Sequence, residues 1–172
     1  DSGKAGTPIA KGLAASPGAG SGKIVLDPEE AVRMNEKGEK VVLVRSETLA
    51  DDVHGIAVAQ AVLTARGGMT SHAAVVARAM GRPAVVGSED VRIDLAGRKV
   101  AFNSVELKEK EEITVDGTTG LVYRGAVPVK IPEMGPDFQE FMEICKRVKK
   151  IGVLANANTP SEAVMARKNG AE

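Results

Sequence analysis

Apolar positions along this chain come in short blocks divided by turn residues, and the blocks differ in kind. Val41 to Val44 is unbroken and Ala61 to Thr64 nearly so, the pattern of strands covered on both faces. Ile9 to Leu13 and Lys23 to Leu26 are further strand candidates. The Gly/Ala/Ser/Pro stretch between them, Ala14 to Gly22, reads as a loop. Ala84 to Val86, Lys99 to Phe102, Ile113 to Val115 and Leu121 to Tyr123 complete the expected strands, the last two flanking a turn at Asp116-Gly117. Helices are announced by their ends. Asp27-Pro28-Glu29-Glu30 is a cap, a proline at the first helical position and two acids at the positive dipole end, and that helix should stop near Gly38. Leu49 to Ala59 reads as a helix, and Ser71 to Met80 as another, closed by Gly81 and Pro83. Strands and helices in this order predict an α/β or α+β domain ending near Arg124.

Beyond it the pattern changes. Pro128, Pro132 and Pro136 recur at four-residue spacing, which suits an extended connector leading into a helix from Asp137 to Lys150. Phe138, Phe141, Met142, Cys145 and Val148 share one stripe of that helix, so Cys145 is expected as a small buried hydrophobe. Ile151 to Leu154 reads as a buried strand, followed by a capping box at Thr159-Pro160-Ser161-Glu162 and a helix to about Asn169. A strand and helix of this type feed a parallel neighbour through a crossover, and the sequence stops at Glu172 before one arrives. A piece of a longer polypeptide is therefore expected.

Composition narrows the functional classes. The 172 residues carry 23 Lys plus Arg against 23 Asp plus Glu, so the formal charge is zero and nothing favours nucleic acid or an anionic membrane as partner. One cysteine excludes an internal disulfide and, with only two histidines, a Cys/His zinc cluster. Three Phe, one Tyr and no Trp leave little for a base- or sugar-stacking platform. The start, Asp1-Ser2-Gly3-Lys4, leads into no apolar run, and no stretch approaches the ~20 residues that cross a bilayer, so a cytoplasmic location is the default.

Two glycine-rich sites invite a phosphate reading. Gly18-Ala19-Gly20-Ser21-Gly22-Lys23 only imitates a P-loop: Pro17 stands where the first glycine belongs, and Ile24 where Ser or Thr belongs. It also leads into a strand, so a flexible turn is the better account. The second site, Leu63-Thr64-Ala65-Arg66-Gly67-Gly68-Met69-Thr70-Ser71-His72, is different. A buried strand ends, two glycines free the backbone, Thr70 or Ser71 can cap, and His72 falls in the first turn of a helix. Amides there lack intrahelical partners and the dipole end is positive, which suits an imidazole acquiring a doubly negative phosphoryl group. A lone histidine more often caps or packs. Here the glycine pair, two hydroxyls and the imidazole converge at one helix start.

At these residues a resemblance emerges. Gly67 to Arg78, continued by Gly81-Arg82-Pro83-Ala84-Val85-Val86-Gly87, closely resembles the phosphohistidine segment of the pyruvate phosphate dikinase family of phosphoenolpyruvate-utilising enzymes. Leu43-Val44-Arg45-Ser46-Glu47-Thr48 with Asp52-Val53, Asp116-Gly117-Thr118-Thr119-Gly120 and Leu154-Ala155-Asn156-Ala157-Asn158-Thr159-Pro160 are similar to further segments of the same family, in order. The short Gly-Gly-x-Thr-Ser-His match is shared with phosphoenolpyruvate synthase and with enzyme I of the sugar phosphotransferase system, which stand as alternatives. A non-covalent anion-binding module is a third. Met69 and the Ala73-Ala74-Val75-Val76 run favour the dikinases.

The resemblance implies a swivelling β/β/α phosphohistidine domain (1–127), a linker with its helix (128–150) and the first βα unit of a truncated TIM barrel (151–172). It implies a phosphotransferase in which an ATP-grasp domain pyrophosphorylates the histidine and one phosphoryl group passes to inorganic phosphate. The carrier then swings to the barrel, where pyruvate is phosphorylated, with Mg²⁺ used at both stations. His72 matches the acceptor that becomes tele-phosphohistidine, Thr70 and Ser71 the hydroxyls beside it, and Gly67 and Gly68 the backbone approach. Arg78 is expected to be structural or interfacial. No metal ligand is expected in this chain, and His54 has no role that the resemblance assigns. The implied partners are the ATP-grasp domain and the phosphoenolpyruvate/pyruvate barrel of the same full-length chain, and through them ATP, phosphate and pyruvate. A homodimer of the full-length chain is an expectation of the same kind. This segment alone is expected to be inactive.

Overall fold

The unbroken apolar runs form the middle of a sheet. The computed structural model describes residues 6–128, 135–157, 159–168 and 170–172, and the chain divides into two units, residues 1–130 and 131–172. The first unit contains β1 (Ala10–Lys11), β2 (Leu13–Ser16), β3 (Ala19–Val25), α1 (Pro28–Glu36), β4 (Val41–Arg45), a 3-10 turn (Ala50–Asp52), α2 (Val53–Val58), β5 (Ala61–Thr64) and α3 (His72–Ala79). β6 (Ala84–Val86), β7 (Val91–Asp94), β8 (Lys99–Phe102), β9 (Val105–Lys108), β10 (Glu112–Asp116) and β11 (Leu121–Arg124) follow. This is a mixed α/β unit, as the alternation of strands and helices implies.

Eight strands pair in the order β1-β11-β10-β3-β4-β5-β6-β2, with β3, β4, β5 and β6 parallel and the remaining pairs antiparallel. β7, β8 and β9 form a separate antiparallel sheet. Side chains alternate along the central strands, and the two faces serve two cores. Val42, Val44 and Leu63 join Val100, Phe102 and Leu107 of the small sheet. Val41, Leu43 and Val62 face the other way, against Ala31 and Met34 of α1, Ile56 of α2, and Ala73, Ala74 and Ala77 of α3. The three alanines let α3 lie close on the sheet. Asp27 caps α1 by accepting from the Glu30 amide at 2.9 Å.

The strand expected over Ile9–Leu13 and the loop expected over Ala14–Gly22 are both corrected. Gly12 divides two short strands that lie at opposite ends of the strand order, β1 on β11 and β2 on β6. Because one residue joins the two ends, the sheet must curl until its edges meet. The Gly12 amide donates to Gly120 O at 2.8 Å, which seals that corner. The glycine-rich stretch is strand β3 rather than a flexible turn. A Cβ on Gly20 would lie 2.2 Å from Gln60 O, and one on Gly22 would lie 2.8 Å from the backbone of Lys40. These glycines admit a neighbouring chain segment, a role that composition cannot distinguish from a loop.

Two further differences have local causes. The helix expected over Leu49–Ala59 is split and shortened, because Asp52 accepts from the Leu49 amide at 2.9 Å and from Arg45 Nε at 3.3 Å, tightening the first turn into 3-10 geometry. Strands β7 and β9 went unexpected: each is only four residues long, and they pair through β8 into a small covering sheet.

In the second unit, α4 (Pro136–Val148) and α5 (Pro160–Lys168) are helical as expected. The strand expected at Ile151–Leu154 is absent. Ile151 is 80% and Leu154 84% exposed, and no strand among the described residues of this unit offers a ladder. The Glu172 amide donates to Val153 O at 2.9 Å instead. On α4, Phe138, Phe141 and Val148 are exposed and Cys145 is only half-buried, so the expected apolar stripe is uncovered within this unit. Expectations touching residues 1–4, Pro132, Asn158, Asn169 and the side chains of Ser161 and Glu162 lie outside the described residues.

Candidate functional site

The carboxyl ends of the parallel strands place the site. Past the end of β5 the chain stays tied to its neighbour, with the amides of Ala65 and Arg66 donating to the carbonyls of Arg45 and Ser46 at 3.0 and 2.8 Å. Buried Thr64 turns its hydroxyl onto Arg66 O at 2.7 Å. Gly67 then takes φ +108°, a left-handed conformation that a side chain disfavours, and the chain doubles back toward α3. The Ser71 amide donates to Gly68 O at 3.0 Å, closing the turn.

The five residues singled out from sequence, Gly67, Gly68, Thr70, Ser71 and His72, come together in this turn and helix start. Ser71 is the cap, its Oγ accepting from the Ala74 amide at 3.4 Å and its carbonyl from the Val75 amide at 3.0 Å. Thr70 is exposed. His72 is the first residue of α3, where the opening amides have no acceptor within the helix. Its ring is partly covered, and Nε2 is buried without a hydrogen-bond partner. An unsatisfied polar nitrogen of this kind costs about 1–3 kcal/mol, so its retention calls for a functional account.

Two further residues support the loop: Gly87, to which the sequence reading gave no role, and Arg78. Gly87, at φ +62°, leaves room for the site loop: a Cβ there would sit 2.4 Å from Gly67 O. Its signal was the glycine straight after the apolar run of β6. Arg78, expected to be structural or interfacial, donates to Met69 O at 2.7 Å and to Ala15 O at 3.0 Å, bracing the loop against β2. His54 pairs with a different partner, its Nε2 3.0 Å from Glu29 Oε1 across α1 and α2. Neither of two described cavities reaches His72. One of about 210 Å³ lies by Leu26, Val44, Leu49 and Ile93, the other, about 350 Å³, by Glu89, Asp90 and Asn103. The turn before His72 is exposed, and the imidazole lies partly covered behind it.

This arrangement, a histidine opening a capped helix after a glycine turn, coincides with a family match. Residues 37–120 match the model of the PEP-utilising enzyme, mobile domain. The chain belongs to that family. The chain is 48% identical over 166 residues to a pyruvate, phosphate dikinase of Entamoeba histolytica, an alignment covering 96% of this chain and 19% of that protein. It is 46% identical over 164 residues to a pyruvate, phosphate dikinase of Rhizobium meliloti, covering 95% and 18%. A pyruvate, phosphate dikinase 1 of Arabidopsis thaliana named as chloroplastic is 44% identical over 164 residues, covering 95% and 17%. The chain thus spans less than a fifth of the length of these relatives. No helix among the described residues is long and apolar enough to cross a membrane.

Proposed function

We propose that this chain is the phosphohistidine carrier of a longer pyruvate, phosphate dikinase, moving a phosphoryl group on His72 between an ATP/phosphate site and a pyruvate/phosphoenolpyruvate site. The observation that carries the reading is His72 itself: an imidazole at the first position of a capped helix, with an unpartnered Nε2, directly after a braced and exposed turn. In the transfer, the Nε2 lone pair attacks phosphorus. The N–P bond forms as the P–O bond to the donor breaks, and the electron pair leaves with that oxygen. The opening amides of α3 and the positive end of its dipole face the phosphoryl oxygens. Because Nε2 is buried at rest, the ring must turn outward to meet a donor. A surface acceptor suits a carrier, which visits active sites built by others.

In this reading the ATP-grasp domain and the barrel belong to the same full-length protein, residues 1–127 swivel between them, 128–150 link, and 151–172 begin the barrel. A single helix, α5, stands for that barrel here. Mg²⁺ belongs to the partner domains and would supply charge stabilisation there. Among the described residues no three His, Cys, Asp or Glu side chains come together to hold it. Alone, the segment binds no nucleotide and turns nothing over. The cytoplasm is the proposed location and a homodimer the proposed state of the full-length protein.

The test supplies full-length protein with labelled phosphoryl donor. Label should appear in the parent and in His54→Ala and vanish in His72→Ala, and it should be lost in acid and survive base, because a protonated imidazole leaves readily. Acid-stable label would indicate a hydroxyl ester. An unlabelled parent would favour a non-covalent anion-binding module.

A further inference from the structure

Two arginines flank the site loop, and they are used differently. The Arg78 guanidinium is engaged by the carbonyls of Met69 and Ala15. Arg66 is exposed, and among the described residues its side chain makes no hydrogen bond or ion pair. Its backbone is the opposite of free: the amide is tied to Ser46 O and the carbonyl to Thr64 Oγ1. The next residue, Gly67, approaches Ser71 so closely that a Cβ would lie 2.9 Å from Ser71 Cβ. The arm of the turn that bears Arg66 therefore runs beside the residue preceding His72. A rigid backbone here carries a cation, unpaired among the described residues, on the arm of the turn that runs beside Ser71.

The charges say what it is for. A phosphoryl group on imidazole carries close to two negative charges, whereas a helix N-terminus offers the equivalent of roughly half a positive one. More than one unit remains uncompensated, and Arg78 cannot supply it without releasing the loop. A guanidinium supplies one charge and can donate two parallel hydrogen bonds to phosphoryl oxygens. We propose that Arg66 binds the phosphoryl group while it resides on His72. This rests on the carrier reading of His72 and adds to it the residue that holds the cargo.

The test uses the 172-residue chain with His54→Ala, so that one histidine remains, phosphorylated by phosphoramidate, a small chemical donor that needs no partner domain. The ³¹P signal of the phosphoryl group is titrated. Bound by a guanidinium, its second ionisation is held low. In Arg66→Ala the midpoint should rise by about one pH unit, with Arg66→Lys between the two. The rate of phosphorylation should fall about tenfold in Arg66→Ala, the scale of a lost charge-assisted hydrogen bond. The thermal midpoint should stay unchanged, since the side chain is exposed and unpaired. Identical ³¹P midpoints in parent and Arg66→Ala would overturn the inference while leaving the carrier reading intact. No phosphoryl signal dependent on His72 would overturn both.

Discussion

At Gly67 the backbone holds φ +108° and an added Cβ would press on Ser71, whereas at Gly68 it would meet nothing within 4 Å. Adjacent glycines thus have different reasons to be glycine. Gly67→Ala should lower stability by about 1–2 kcal/mol, from strain at positive φ and from displacement of the cap. Gly68→Val should leave the unfolding midpoint near the parent value yet slow phosphoryl transfer to His72, because its branched side chain fills the open approach. Urea titration and His72 labelling on both variants check this. Equal loss of stability in the two would show that Gly68 also serves the fold.

At the scale of one element, α3 is a short helix asked to do two things, pack on the sheet and present its amino end. Its buried alanines satisfy the first, and Ser71 with the preceding turn satisfies the second. The two demands separate by substitution. Ser71→Ala should cost about 1 kcal/mol of stability through the lost cap. Ser71→Asp should keep the cap and favour the dipole, so its stability should match or exceed the parent. Its carboxylate would nevertheless stand beside an incoming dianion, so labelling of His72 should fall at least as far as in Ser71→Ala. Stability by thermal melts and labelling measured together decide this. If the two quantities rise and fall in step, Ser71 acts only through the helix.

At the scale of the molecule, the site depends on a closed sheet. β1 and β2 sit at opposite ends of the strand order with Gly12 alone between them, and glycines admit the neighbouring chain where the wall curves. Gly20→Val would drive a side chain into the Gln60 carbonyl, which is backbone and cannot step aside. A destabilisation at or above the ~1–3 kcal/mol of ordinary overpacking is expected, measured as a shift in the denaturant midpoint. A midpoint unchanged from the parent would show that the wall yields. Arg78 ties this wall to the site, since one of its hydrogen bonds ends on β2 and the other on the loop before His72.

Much of this was legible in the chain alone. Unbroken apolar runs marked β4 and β5, Asp27 and Ser71 marked helix starts, and glycines, hydroxyls and one imidazole close in sequence marked the candidate site, because caps and buried strands are local agreements between a few neighbouring residues. What tertiary structure decided was everything that depends on a distant partner. The glycines of β3 look like a loop until Gln60 and Lys40 are seen against them, and Gly87 has no meaning until Gly67 O is beside it. Ile151 to Leu154 has the composition of a strand, but among the described residues of its unit no strand lies beside it to complete a ladder. Arg66 and Arg78 are equivalent as letters; only the carbonyls of Ala15 and Met69, brought together by the fold, engage Arg78, while the Arg66 side chain has no such partner among the described residues.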